Sequence, residues 1–160
     1  MNKHKGFTLI EVLVALIIVA IGVLGHAKMQ MTSMQTAQRA SFSQTANTAL
    51  LDLAQRMRSN SVVASHFVAS NLNTGDAVVA DTNCSEDDCT NNQFATAELA
   101  EWFNHLQNTL PSPRFSVERA GSLYTLTLIW DAAKKGAGSA VCDNSKINSY
   151  QCGSMNIWIP

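Results

Sequence analysis

The sequence predicts an α+β protein: one long N-terminal α-helix, membrane-spanning in its first half, packed on a small antiparallel-sheet head. Three observations predict it. Residues 7–25 form an apolar run interrupted only by Thr8 and Glu11, and residues 12–24 carry no polar side chain. Residues 26–60 contain neither proline nor glycine, and their apolar residues return at helical spacing. Further on, residues 123–131 alternate with the period of a half-buried strand.

The apolar run has the length of one membrane pass, at about 1.5 Å per residue across a hydrocarbon core of about 30 Å. Its Val and Ile content disfavours helix in water. In a bilayer every backbone group must bond internally, so the helix forms regardless. A basic head with Lys3 and Lys5 precedes the run and holds the start of the chain on the cytoplasmic side. A secretory signal places its small-residue cleavage site after the apolar core. Here the small-residue break, Lys5-Gly6-Phe7, precedes the core, so cutting there keeps the hydrophobic segment in the mature protein. Glu11 is the exceptional residue. An unpaired carboxylate in hydrocarbon costs roughly several kcal/mol, and intramembrane acids are functional candidates by default. The plainer reading is an acid at headgroup level, favoured by the helix dipole. Gly22 and Gly25 lie on nearly the same face, where they either admit a close neighbouring helix or are ordinary tolerated glycines.

The amphipathic half, 26–60, carries a stripe of Met34, Phe42, Ala46, Leu50, Leu53 and Met57 that suits packing on a head. Met29, Met31 and Met34 read as fillers of a packed interface. Arg56 and Arg58 suit the negative end of the helix dipole on a solvated face. The head then occupies 61–160. Its first part, 61–93, is polar and reads as a partly irregular excursion. A second helix is expected at about 97–110, with Thr96 as N-cap, Glu98 and Glu101 near its positive end, and Leu99, Trp102, Phe103, Leu106 and Leu110 on one face. Pro111 and Pro113 end it, and His105 falls on its polar side. Strands are expected at 115–119, 123–131 and 155–160, the first two joined by Ala120-Gly121-Ser122. Tyr124, Leu126, Leu128 and Trp130 face the core.

Composition narrows the chemistry. The 160-residue chain has a formal charge of −1. Without residues 1–6, Lys+Arg falls from 11 to 9 against 12 Asp+Glu, a balance of −3, so nucleic acid is not an expected partner. Cys84, Cys89, Cys142 and Cys152 all follow the anchor, and an even number in an exported domain points to disulfides. Four cysteines allow three pairings, among which the sequence does not choose. The local pairs Cys84–Cys89 and Cys142–Cys152 are the expected ones, each stapling a loop of weak structure. The spacings do not match a zinc site, and no metal or other cofactor is expected. The acids between Cys84 and Cys89 lack the alternation of a calcium loop. Lys134 and Lys135 precede the glycines of their loop, which is not the order of a phosphate-binding loop. No Ser/His/Asp set or paired-carboxylate motif stands out, so an enzyme is not expected.

The stretch Lys5-Gly6-Phe7-Thr8-Leu9-Ile10-Glu11-Val12-Leu13 closely resembles the class III signal of type IV pilins and type II secretion pseudopilins. The resemblance implies cleavage between Gly6 and Phe7 by a prepilin peptidase, N-methylation of Phe7, and a role for Glu11 in recruitment to the filament, where it meets a neighbour's N-terminal amine. It further implies an inner-membrane, single-pass precursor surrounded by lipid, with the head in the periplasm, which the assembly machinery later moves into a surface pilus. Residues 49–60, with Arg56-Met57-Arg58, resemble the PilV group of minor pilins, the type IV pilus modification proteins. The order of cysteine-rich loop, helix and sheet, and the Trp130-Asp131 strand end, are similar. Unlike many major pilins, the chain has no proline before Pro111. The function implied is that of a non-catalytic minor pilin in a priming or tip complex for pilus biogenesis, twitching and adhesion. Its partners would be other minor pilins, the major pilin and a tip adhesin. The alternatives are a type II secretion minor pseudopilin and a membrane-anchored surface-binding module.

Overall fold

The computed structural model describes residues 6, 8–73, 84, 88–133, 142 and 150–160; of residues 71–73 it describes the backbone. The chain divides into two compact units, Met1–Ala40 and Ser41–Pro160.

Helix α1 spans Leu9–Ser59. It opens on the Thr8 carbonyl, which accepts from the Glu11 and Val12 amides at 3.0 and 3.3 Å. In the first unit its described residues are almost all exposed, Leu9, Leu16 and Ile18 among them. In the second unit Ala46, Leu50, Leu53, Ala54 and Met57 are buried, with Phe42 partly buried against the same core. The expected stripe therefore holds from Phe42 onward. Met34, in the first unit, does not belong to it, being 73% exposed, and Met29 and Met31 are exposed as well. Helical spacing fixes which side a residue faces; it does not say how far along the helix a partner surface extends.

A 3-10 turn at Ser61–His66 and strand β1, Ala69–Asn73, lie in the stretch expected to be irregular. Helix α2 then runs Asn91–Thr109 and starts earlier than its apolar periodicity indicates. Its N-cap is Thr90, not Thr96. Thr90 and Gln93 form a capping box, each side chain accepting from the other's backbone amide. That reciprocal pair satisfies two otherwise orphaned donors and lets a polar turn begin the helix. Thr96 instead donates its hydroxyl to the Asn92 carbonyl inside the helix. Glu98 consequently sits well past the first turn, which has no acidic residue.

Strands β2 (Arg114–Ala120), β3 (Leu123–Trp130) and β4 (Gln151–Trp158) complete an antiparallel sheet ordered β1-β2-β3-β4. Gly121 turns the chain between β2 and β3 at φ 65°, in the left-handed region that glycine enters without a Cβ penalty. Tyr124, Leu126, Leu128 and Trp130 are buried as the alternation requires. Ile129 is buried too, on the other face and outside the main cluster, paired across the sheet with Arg114 and Cys152. β4 starts four residues before the expected 155. Pairing with β3 carries Gln151, Cys152, Gly153 and Ser154 into the strand despite their weak strand character.

The core of the second unit joins the buried face of α1, the Leu99, Trp102, Phe103 and Leu106 face of α2, and the inner face of the sheet. Trp102 ties these layers together. Its indole nitrogen donates to the Ala49 carbonyl of α1 at 3.1 Å, and its ring lies 4.6 Å from that of Phe115 on β2.

Candidate functional site

The residues singled out from the sequence fall into three places. Gly6 and Glu11 belong to the first unit. Gly6 is exposed, and a Cβ built there meets no atom within 4 Å. Phe7 lies outside the described residues, and so do Lys3 and Lys5. Glu11 occupies the first turn of α1, where the helix dipole favours an acid. Its side chain is exposed, and its neighbours Leu9, Ile10, Val12 and Leu13 are exposed apolar groups. A helix of this kind is long and apolar enough to cross a membrane, with mean hydropathy 2.6 over its most apolar 18 residues and none of them buried. Gly22 and Gly25 likewise have open space where a side chain would stand. The arrangement is chemically simple. A carboxylate rides near one end of an aliphatic rod, and in hydrocarbon it gains from any cation brought to it, the more so as the dielectric falls.

The cysteines form the second group. Cys84 is bonded to Cys89 and Cys142 to Cys152, with Cα atoms 5.5 and 5.7 Å apart. Glu86 and Asp87, the loop at 134–139 and residues 143–149 lie outside the described residues.

Arg56 is the third place: it lies in the last turn of α1, as its sequence position indicates, and it also reaches a second helix. Its guanidinium donates to Glu98 on α2 at 2.9 Å and to Asp52 one turn earlier on α1 at 3.1 Å, with Glu101 at 3.9 Å. Burial opposes the Arg56 charge. The hydrogen bond to Glu98 and the Asp52 carboxylate outweigh that opposition and hold its pKa above the ordinary arginine value. Arg56 is thus a strut between two helices of the second unit. The sequence reading missed it because it placed Glu98 in a first turn, where the helix dipole would have sufficed as its partner.

Between the same helices lies a groove of about 470 Å³ with Ala49, Trp102 and Leu106 among its lining residues and Asp52 and His105 on its walls. His105 is exposed, as its position on α2 predicts. Among the described residues no three His, Cys, Asp or Glu side chains come together as metal ligands.

A model of the prokaryotic N-terminal methylation motif matches residues 1–25. No curated protein and no solved structure matches the chain. The motif, the exposed apolar helix and the four-stranded α+β architecture support a type IV pilin- or pseudopilin-like protein, a class of structural subunits that are processed by prepilin peptidase and assemble with other pilins. The matched residues end well before 49–60, the stretch on which the resemblance to one particular minor pilin group rests.

Proposed function

We propose that the chain is a minor pilin of a type IV pilus, of the PilV-like kind, working by subunit packing in a priming or tip complex. The observation that carries the reading is Glu11 in the first turn of an aliphatic helix that buries none of its most apolar stretch within the chain. Before assembly the segment sits in the inner membrane with the disulfide-bonded head on the periplasmic side. Prepilin peptidase cuts between Gly6 and Phe7, and the freed amine of Phe7 is methylated. In the filament the rods pack together, and Glu11 of one subunit meets the terminal amine of the next. The pairing removes the cost of a lone carboxylate in a low-dielectric core and sets the axial register.

The test uses the full chain in its own cells. Mass spectrometry of sheared pili is expected to find a peptide starting at N-methylated Phe7, and an intact Met1 in assembled material defeats the processing step. Glu11→Ala is expected to leave membrane insertion intact while reducing the subunit in sheared pili at least tenfold. Normal incorporation sinks the register role. Deletion is expected to impair twitching; loss of secreted enzymes with twitching preserved would move the chain to a type II secretion system.

A further inference from the structure

The groove between α1 and α2 lies within the second unit, and the filament role above makes no use of it. The two helices run in opposite directions there, since Arg56 meets Glu98 at one level and Ala49 meets Trp102 at the next. Ala49, Trp102 and Leu106 give the groove an apolar floor. Its walls are less polar than their residue types suggest. Thr45, Thr48 and Thr109 each donate the hydroxyl proton to a carbonyl of their own helix, at 3.0, 3.0 and 3.1 Å, so none of these protons is left for a visitor. Leu51, one turn from Thr48 on the adjoining side of α1, is exposed. Charge enters at one end of the groove. Asp52, Glu98 and Glu101 surround Arg56, three carboxylates to one guanidinium and so a net −2. Asp52 is half-exposed and Glu101 is 73% exposed, so both still face solvent. At the other end Gln44, Thr45 and Thr109 carry no charge.

We infer that this groove takes an amphipathic α-helix of a different protein, with an aliphatic ridge laid between α1 and α2 and a Lys or Arg set on Asp52 and Glu101. The backbone selects a helix. α1 and α2 satisfy their backbone groups internally and offer no sheet edge, so an extended peptide would find no main-chain partners, whereas a helix brings its own bonds with it. The length agrees. Gln44 to Asp52 is about 12 Å of helix at about 1.5 Å per residue, which suits a ridge of anchors at i, i+3 or i+4, and i+7. The charge selects a basic helix. Two open acids beside an apolar floor attract a cation and repel an acid, and the uncharged far end gives the visitor a direction. Neither residues 40–55 of α1 nor the whole of α2 contains a Lys or Arg, so the same face of a second copy supplies no cation. This docking is independent of the filament role proposed above.

The experiment uses the full chain in its own cells, with a photo-reactive benzophenone amino acid at position 48, which is exposed on the groove wall. Tandem mass spectrometry maps the adduct formed on irradiation. The expected attachment is to a segment of another protein in which a Lys or Arg stands three or four residues from an aliphatic stripe. Glu101→Lys is expected to lower the adduct at least tenfold by turning attraction into repulsion. Exchange of the mapped Lys or Arg for Glu in the partner is expected to restore it, and restoration also shows that the Glu101→Lys chain folds. An adduct that survives Glu101→Lys overturns the assignment, and so does one that the exchange fails to restore. Attachment to a segment without a basic residue, to a second copy of this chain, or to nothing overturns it as well.

Discussion

Leu16 and Leu50 stand on one helix, yet Leu16 is 64% exposed and Leu50 1%. The contrast extends to their surroundings. Between residues 9 and 24, twelve large aliphatic side chains are exposed, whereas from Ala46 onward one face of α1 is closed against α2 and the sheet. Burying such a side chain is worth about 1.5–3 kcal/mol, so the more apolar half forgoes within the chain what the less apolar half collects. It is stable only where another apolar medium supplies the burial, which is what a bilayer or a bundle of like helices provides. One half is therefore built for an external solvent, and the other is built to carry its own.

The sharpest way to break this comparison is to truncate one residue in each half. Phe103→Ala removes a fully buried ring from the second unit and is expected to cost about 3–5 kcal/mol. Leu16→Ala is expected to change the same unfolding by less than about 0.5 kcal/mol. All three tryptophans, Trp102, Trp130 and Trp158, lie in the second unit, so fluorescence during urea unfolding of the detergent-solubilised chain reports that unit alone. A Leu16→Ala midpoint shifted as far as that of Phe103→Ala would show that the two units share one stability.

The disulfides sharpen the same contrast, since both belong to the second unit. Each closes a short loop and, by the loop-entropy account, is expected to stabilise by about 2–3 kcal/mol. The Cys142–Cys152 bridge spans ten residues and Cys84–Cys89 spans five, so paired Cys→Ser replacement at 142 and 152 is expected to cost slightly more. The readout is the urea midpoint of each variant. Equal stability with and without the longer bridge would mean that β4 is held by its ladder and by its seat on α1 alone.

How much of this was legible in the sequence depends on how local each cause is. The apolar run, Glu11 and Gly6 are read from consecutive residues, and so are the core faces of β3 and α2, where one period governs many positions. The start of α2 was missed because Thr90 and Gln93 act as a pair three residues apart, ahead of any apolar signal. β1 was missed because its partner is distant. Ala69 sits opposite Val117, and nothing within residues 69–73 alternates strongly enough to announce a strand. The first half of β4 is polar and becomes strand through β3. Arg56 stands in the last turn of α1 as its position indicates, but its partner Glu98 is forty-two residues away, and no local rule connects them.

That ion pair gives the smallest of the expected effects. Arg56 and Glu98 are 30% and 25% exposed, covered enough to limit screening but wet enough to avoid the penalty of a fully buried pair. Arg56→Ala and Glu98→Ala are each expected to cost about 1 kcal/mol, with a coupling of about 0.5–1 kcal/mol in the double-mutant cycle. Asp52 is closer in sequence but 49% exposed, so Asp52→Ala should cost less than Glu98→Ala. If the cycle gives no coupling, Arg56 serves the helix end as its sequence position suggests, and the junction of α1 with α2 rests on apolar packing and the Trp102 hydrogen bond. If the coupling is present and persists at high salt, the strut works in a partly desolvated setting within one chain, the opposite of Glu11, which is exposed on the first turn of α1 and whose proposed partner lies on another subunit.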